Sequence, residues 1–298
     1  MLLGALAMLS ACGGGSGDAA DPDEAGMPDP LVVGLIPNIA PDEQRARYQP
    51  LEEHLEEALG VDVELFVAAD YAGVVAAMAA ERLDLAYFGG VTYVQAEQQT
   101  DVTPLVTEVD RETGTSHYVS AIVVREDSPH QTLDDVLDAG ARFAMGDVAS
   151  TSGSLYPRIM LTDAGAECDT RQLTVCPPLE AIDFTGGHDA AAQAVLSGRA
   201  DAAGMERRIL NRLIDEGEVP EGALRIIEER HVQGYPWVAR SALGQDAHEA
   251  ITEAFLAIDA PALLDLLRAE SYTAVGPDDY DEIRERALEL GILQEVAQ

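Results

Sequence analysis

The 298-residue chain contains no lysine. Its 18 basic residues are all arginine and face 54 acidic ones, a formal net charge of −36. A surface so acidic repels phosphate backbones and anionic membrane faces, which excludes nucleic-acid binding through counterion release. Cysteine is scarce as well, with only 3 in the chain, too few for a disulfide framework. Neither His nor further Cys stands at ligand spacing near Cys168 and Cys176, so no metal site is expected. No Gly-Lys pair of the nucleotide-binding phosphate loop occurs, and no organic cofactor is implied. Past the N-terminus no run reaches the roughly 18 apolar residues of a membrane span. Disorder is excluded too, because 47% of the residues are hydrophobic and they recur in periodic blocks.

The opening MLLGALAMLSAC has the length of a signal-peptide apolar region and is too short to cross a bilayer. Leu9-Ser10-Ala11-Cys12 resembles a bacterial lipobox, so residues 1–12 are read as a lipoprotein signal peptide and Cys12 as the lipid anchor. No basic stretch precedes it, a departure that a start further upstream would explain. Residues 13–30, rich in Gly, Asp and Pro, are read as a flexible tether. An exported chain lives where disulfides persist, so Cys168 and Cys176, eight apart, are expected to staple one loop.

Apolar periodicity begins at Leu31. Strands are expected at 31–36, 61–67 and 85–88, with helices at 47–60 and 71–82 between them. That alternation predicts an α/β lobe built on a parallel sheet. A second unit repeats the style, with strands at 118–124, 143–145, 181–184 and 200–205 and helices at 132–139, from Gly153, and at 189–197. An extended return strand at 234–240 and helices near 246–258 and 278–290 lead back. The division is therefore 31–117 with 233–298 as one lobe and 118–232 as the other. A single larger doubly wound domain is the alternative.

The sharpest local feature is Gly146-Asp147-Val148-Ala149-Ser150-Thr151-Ser152-Gly153, set between a strand and a helix. Three successive hydroxyls at a helix start can aim O–H and N–H donors at one point, which also feels the positive end of the helix dipole. Ordinary N-capping requires only one of them. His188 follows Thr185-Gly186-Gly187 at a similar strand-to-helix turn, where open α/β sheets place their ligands. Tyr71, Tyr87 and Phe88 stand at corresponding turns of the first lobe.

DYAGVVAAMAAERLDLAYFGGVTYV, GDVASTSGSLYPRIML and TGGHDAAAQAVLSGRADAAG together resemble the phosphonate, phosphite and phosphate substrate-binding proteins of ABC transporters. The likeness runs from about residue 31 to the end. It implies a type II, two-lobed periplasmic-binding-protein-like fold that closes on a ligand held in the cleft. It further implies that Ser150, Thr151 and Ser152 hydrogen-bond a phosphorus oxyanion, that Tyr71 and His188 add contacts, and that Phe88 lines the pocket. The partners implied are a membrane permease and its ATPase, with the chain a monomer held to the outer face of the cytoplasmic membrane by its lipid alone.

Relatives that take aminoalkyl phosphonates carry carboxylates for the substrate amine, whereas here Arg208 and Tyr235 stand near that position. The strand-end aromatic is Phe88 and not tyrosine, leaving Tyr87 or Thr92 to supply a hydroxyl. These departures favour a small ligand: phosphite, methylphosphonate or phosphate. Glu206 is a candidate to accept a proton from the ligand, which would discriminate against fully ionised sulfate. Two other functions are compatible with the residues. One is a sensor that signals to a membrane kinase, and the other a serine hydrolase with His188 as base, although no Gly-x-Ser-x-Gly elbow is present.

Overall fold

The computed structural model describes residues 26–294; Cys12 and nearly all of the leader and tether lie outside the described residues. β1 (Leu31–Leu35) opens the core, followed by α1 (Pro41–Leu59). This helix starts six residues before the expected Arg47. Pro41 is preset for the first helical position, and Asp42 and Glu43 favour the positive end. Tyr48, Leu51, Leu55 and Leu59 form its buried stripe, and Gly60 stops it at a φ of 70°.

β2 (Val63–Val67), α2 (Tyr71–Ala79) and β3 (Leu85–Tyr87) follow as expected. Next come α3 (Gly90–Glu97) and β4 (Val102–Asp110), which the sequence pattern did not reveal. α3 is buried on nearly every side and shows no amphipathic period, while β4 buries Glu108 and Asp110 and contains Pro104.

The chain then enters a second sheet through β5 (His117–Arg125), α4 (Leu133–Asp138) and β6 (Arg142–Met145). The helix expected from Gly153 is instead a π-helical turn, Thr151–Leu155, running into α5 (Tyr156–Asp163). Such turns are rare and tend to mark functional positions. β7 (Ala181–Phe184), α6 (His188–Leu196), β8 (Ala202–Glu206), α7 (Arg207–Asp215) and β9 (Leu224–Gln233) complete this part. The return consists of β10 (Trp237–Arg240), α8 (Gln245–Leu256), α9 (Pro261–Asp265), β11 (Ala269–Ala274) and α10 (Asp281–Glu289).

The strand orders are β11-β4-β10-β3-β1-β2 and β7-β6-β8-β5-β9. Each sheet has three parallel strands beside a strand that runs antiparallel to its neighbours, so both sheets are mixed and not purely parallel. The inserted strands, β5 and β10, are the first after each passage between the sheets. The expected strand at 234–240 is correspondingly shorter. Gly234, Tyr235 and Pro236 form the passage itself, and Pro236 has no N–H for a ladder. Its carbonyl instead accepts from Phe88 N–H at 3.0 Å.

Around β10 the first lobe packs Trp237 against Phe255, Tyr87 and Tyr48, with ring centres 4.6 to 6.4 Å apart. In the second lobe a disulfide joins Cys168 to the buried Cys176. The lobes meet across the cleft, where His188 N–H donates to Asn38 C=O at 3.1 Å and Val91 N–H to Thr151 Oγ1 at 3.0 Å. Arg47 pairs with Glu216, and Arg207 with Glu112, each at 2.9 Å. Among the described residues no helix is long and apolar enough to cross a membrane.

Candidate functional site

Four helix starts converge where the lobes meet. Tyr71 is the first residue of α2, Gly90 of α3, Thr151 of the π-turn and His188 of α6. The first N–H groups of a helix have no intrahelical partner and carry partial positive charge. Four such ends near one point concentrate partial positive charge there without any lysine, although the N–H groups of Val91, Gly153 and His188 already donate within the protein.

The three hydroxyls of the π-turn divide their work. Ser150 Oγ accepts from Gly153 N–H at 3.0 Å, so it does cap the turn, and its O–H stays free to donate. Thr151 Oγ1 accepts from Val91 N–H of the opposite lobe and likewise keeps its O–H. Ser152 is fully buried and its Oγ has no hydrogen-bond partner, while its carbonyl accepts from Ser120 Oγ at 2.8 Å.

His188 adds a donor. Its Nδ1 accepts from Glu206 N–H at 3.2 Å, which in the neutral ring puts the proton on Nε2, and that buried atom has no partner. Burial lowers the ring's pKa, and Glu206 and Asp189 only partly offset this. The Tyr71 phenol lies beside the Ser150 hydroxyl and the Tyr118 phenol beside that of Ser152; neither has an aligned hydrogen bond. Burial pushes both phenols well above their ordinary range, so they stay protonated donors. Buried polar atoms are normally paired, and an unpaired one costs about 1–3 kcal/mol. Tyr71, Tyr118, Ser152 and His188 thus present unpartnered donors in one place.

Of the expected contacts, Tyr71, Ser150, Thr151, Ser152 and His188 come together. Thr92 stands at the start of α3, where its O–H donates to Gly89 C=O at 2.9 Å. Phe88 is fully buried in the first-lobe core. Tyr87 stacks on Tyr235 at 5.1 Å, and Tyr235 O–H donates to Glu206 Oε2 at 2.5 Å. The other Glu206 oxygen accepts from Arg208 Nε at 2.6 Å. Each oxygen of Glu206 therefore already accepts one bond within the protein and keeps a second lone pair.

Tyr118 and Ser120 were missed by sequence reasoning. Their i, i+2 spacing on β5 puts both on the face toward Ser152, a signal present in Tyr118-Val119-Ser120 but readable only once the strand's neighbour is known.

A family model described as ABC transporter, phosphonate, periplasmic substrate-binding protein matches residues 33–280. The chain belongs to that family. Among curated relatives, the phosphate-import protein PhnD of Mycolicibacterium smegmatis is 31% identical over 254 residues, covering 84% of this chain and 78% of its own. The probable phosphite-binding protein PhnD1 of Prochlorococcus marinus is 25% identical over 273 residues, covering 87% and 89%. The solved structure of that PhnD1 with methylphosphonate shares the fold, with a TM-score of 0.76 at 24% identity over 88% of this chain and 98% of the other.

As a member of this phosphonate-transporter family the protein is an extracytoplasmic binding component of an importer and not an enzyme. The hydrolase alternative also fails chemically. The His188 nitrogen left unpaired carries a proton in the neutral ring and cannot take one from serine.

The depressed His188 pKa has a testable sign. As pH falls through about 6.5, the ordinary value, the unfolded chain takes up a proton that the folded ring refuses. This contribution to stability is complete above that pH and lost below it. Glu108 and Asp147, whose pKa values burial raises, act in the opposite direction. Thermal melts of ligand-free protein from about pH 8 to about pH 5 should show a shallower acid loss in His188→Gln than in the parent chain. Parallel curves would refute the assignment.

Proposed function

We propose that the protein captures a small phosphorus oxyanion (phosphate, phosphite or a short alkylphosphonate) in the cleft and delivers it to a membrane permease driven by its ATPase. The observation that carries this reading is the set of unpartnered buried donors on Tyr71, Tyr118, Ser152 and His188, met by four helix starts. Ser150 and Thr151 keep O–H groups for the same point. The relatives named for phosphate import and phosphite binding support the ligand class.

The lobes 31–117 with 233–298 and 118–232 are the units that close. The passages at 111–116 and 234–236 are the hinges, since among the described residues only there does the chain cross between sheets. A ligand that bonds to Tyr71 and the α3 start on one side and to the π-turn and His188 on the other favours closure by its higher affinity for the closed form. Cys12 tethers the monomer to the outer face of the membrane by lipid. Tyr87, Phe88, Thr92, Glu206 and Tyr235 form the wall behind the contacting groups.

Calorimetric titration of the purified protein with phosphate, phosphite, methylphosphonate and sulfate tests this. At least one phosphorus anion should bind at least tenfold tighter than sulfate. Heat from sulfate alone, or from none of the four, would sink the reading.

A further inference from the structure

Among the described residues two arginines are buried, Arg158 and Arg208. Arg208, 4% exposed, sits behind the donor cluster among three buried carboxylates. Its Nε is 2.6 Å from Glu206 Oε1 and 3.6 Å from Asp110 Oδ2, and its Nη2 is 2.8 Å from Glu108 Oε1. Nη1 donates to Leu267 C=O at 3.0 Å. The guanidinium carbon lies 4.7 Å from the centre of the Tyr118 ring and 5.7 Å from that of Tyr235. Burial would lower the Arg208 pKa, but Glu206 and Glu108 outweigh it, so the group stays charged.

Carboxylates and aromatic faces around one point form a cation receptor. This one adjoins the oxyanion donors. The Tyr118 phenol lies beside the Ser152 hydroxyl while the Tyr118 ring faces Arg208, and Glu206 holds Arg208 by its carboxylate and His188 by its N–H. An anion site on one side of Tyr118 and a cation receptor on the other fit a zwitterion such as a phosphonate with an amine tail. Here the chain's own guanidinium occupies the receptor. A cavity of about 20 Å³ beside it, lined in part by Tyr48, Tyr87, Glu206 and Arg208, has room for one water.

We propose that Arg208 is a built-in counter-cation that fills the cation-accepting end of the cleft and so restricts the ligand to phosphorus oxyanions without a positively charged tail. This rests on the oxyanion reading of the Ser150–Ser152 turn. Three acids buried around one point require a cation. With Arg208 in place that need is met internally, and an ammonium group arriving on a ligand meets a like charge and no space. With Arg208 removed, the ligand's ammonium becomes the cation that takes its place beside Glu206 and Glu108.

The test is the ratio of affinities for methylphosphonate and 2-aminoethylphosphonate, measured by calorimetry on the purified protein. The parent chain should prefer methylphosphonate at least tenfold. Arg208→Ala should shift the ratio toward the amine by at least tenfold, whereas Arg208→Lys, which keeps a cation, should hold it near the parent value. Should Arg208→Ala fail to fold, R208A/E108Q removes one unpaired acid, leaves Glu206 to accept the amine, and should give the same shift. A parent chain that binds both ligands equally, or an alanine variant whose ratio does not move, overturns the proposal. A parent chain that binds no phosphorus anion at all instead overturns the oxyanion reading beneath it.

Discussion

Ser152→Ala should weaken phosphorus-anion binding by about 10- to 100-fold while leaving the ligand-free protein as stable as before, or slightly more so. The two effects have one origin. In the ligand-free chain the Ser152 Oγ is buried and makes no hydrogen bond. Removing it therefore breaks nothing and relieves a polar atom whose burial costs about 1–3 kcal/mol. A gain of about 1 kcal/mol would raise the melting temperature by roughly 1.5–2 °C in a chain of this size. With an anion present, the same hydroxyl donates to a charged oxygen, worth about 1.5–3 kcal/mol. Ser150→Ala should behave differently, because Ser150 Oγ accepts from Gly153 N–H. Losing that cap costs about 1 kcal/mol without any ligand. Thermal melts and calorimetry on both variants separate the roles. If Ser152→Ala binds as tightly as the parent chain, that hydroxyl does not contact the ligand.

The acidity of the chain bears on why the site takes this form. At a net charge of −36 the protein repels an anion at long range, and ionic strength screens that repulsion beyond roughly 10 Å. Capture must therefore come from short-range dipoles and neutral donors. Phenols held protonated by burial, a neutral imidazole and the partial positive charge of the helix starts meet that demand. They also leave the nearby cation, Arg208, committed to Glu206 and Glu108. Asp147 adds to the difficulty, and its pKa is raised by the same burial.

Legibility in the sequence followed the physics of each element. β1, α2, β3 and the Ser150–Gly153 turn announce themselves because apolar runs end at Gly, Asn or Ser clusters whose turn chemistry is local. Tyr71 and His188 were readable for the same reason, each standing at a strand-to-helix turn. α3 and β4 were not: one is buried all round and the other buries two acids, so neither carries the pattern of a half-buried element. Tyr118 was invisible because its role depends on β5 pairing with β8 and β9, a long-range choice. The engagement of Glu206 by Arg208 and Tyr235 likewise joins three segments that only the closed fold brings together.

Gly153→Ala should abolish measurable binding, a loss of at least 100-fold, because a single methyl group strikes two donors at once. A Cβ at Gly153 would stand 2.9 Å from Ser150 Oγ, 3.0 Å from His188 Cε1 and 3.3 Å from Gly146 Cα. None of these can yield cheaply. Ser150 Oγ is fixed by the N–H of Gly153 itself, and the His188 ring is fixed by Glu206 N–H and by its place at the start of α6. Gly146 is held by its N–H bond to Gly153 C=O at 2.9 Å. Overpacking of this kind costs about 1–3 kcal/mol in stability. The larger effect is on affinity, since displacing two donors forfeits two charge-assisted bonds of about 1.5–3 kcal/mol each. Gly198→Ala supplies the control. Gly198 has a φ of +72° with nothing within 4 Å of its would-be Cβ, so alanine there strains the backbone by about 1 kcal/mol but touches no donor. The two variants should therefore lose similar stability while only Gly153→Ala loses the ligand. Equal affinities, measured well below both melting temperatures, would show that the close approach at Gly153 does not shape the site.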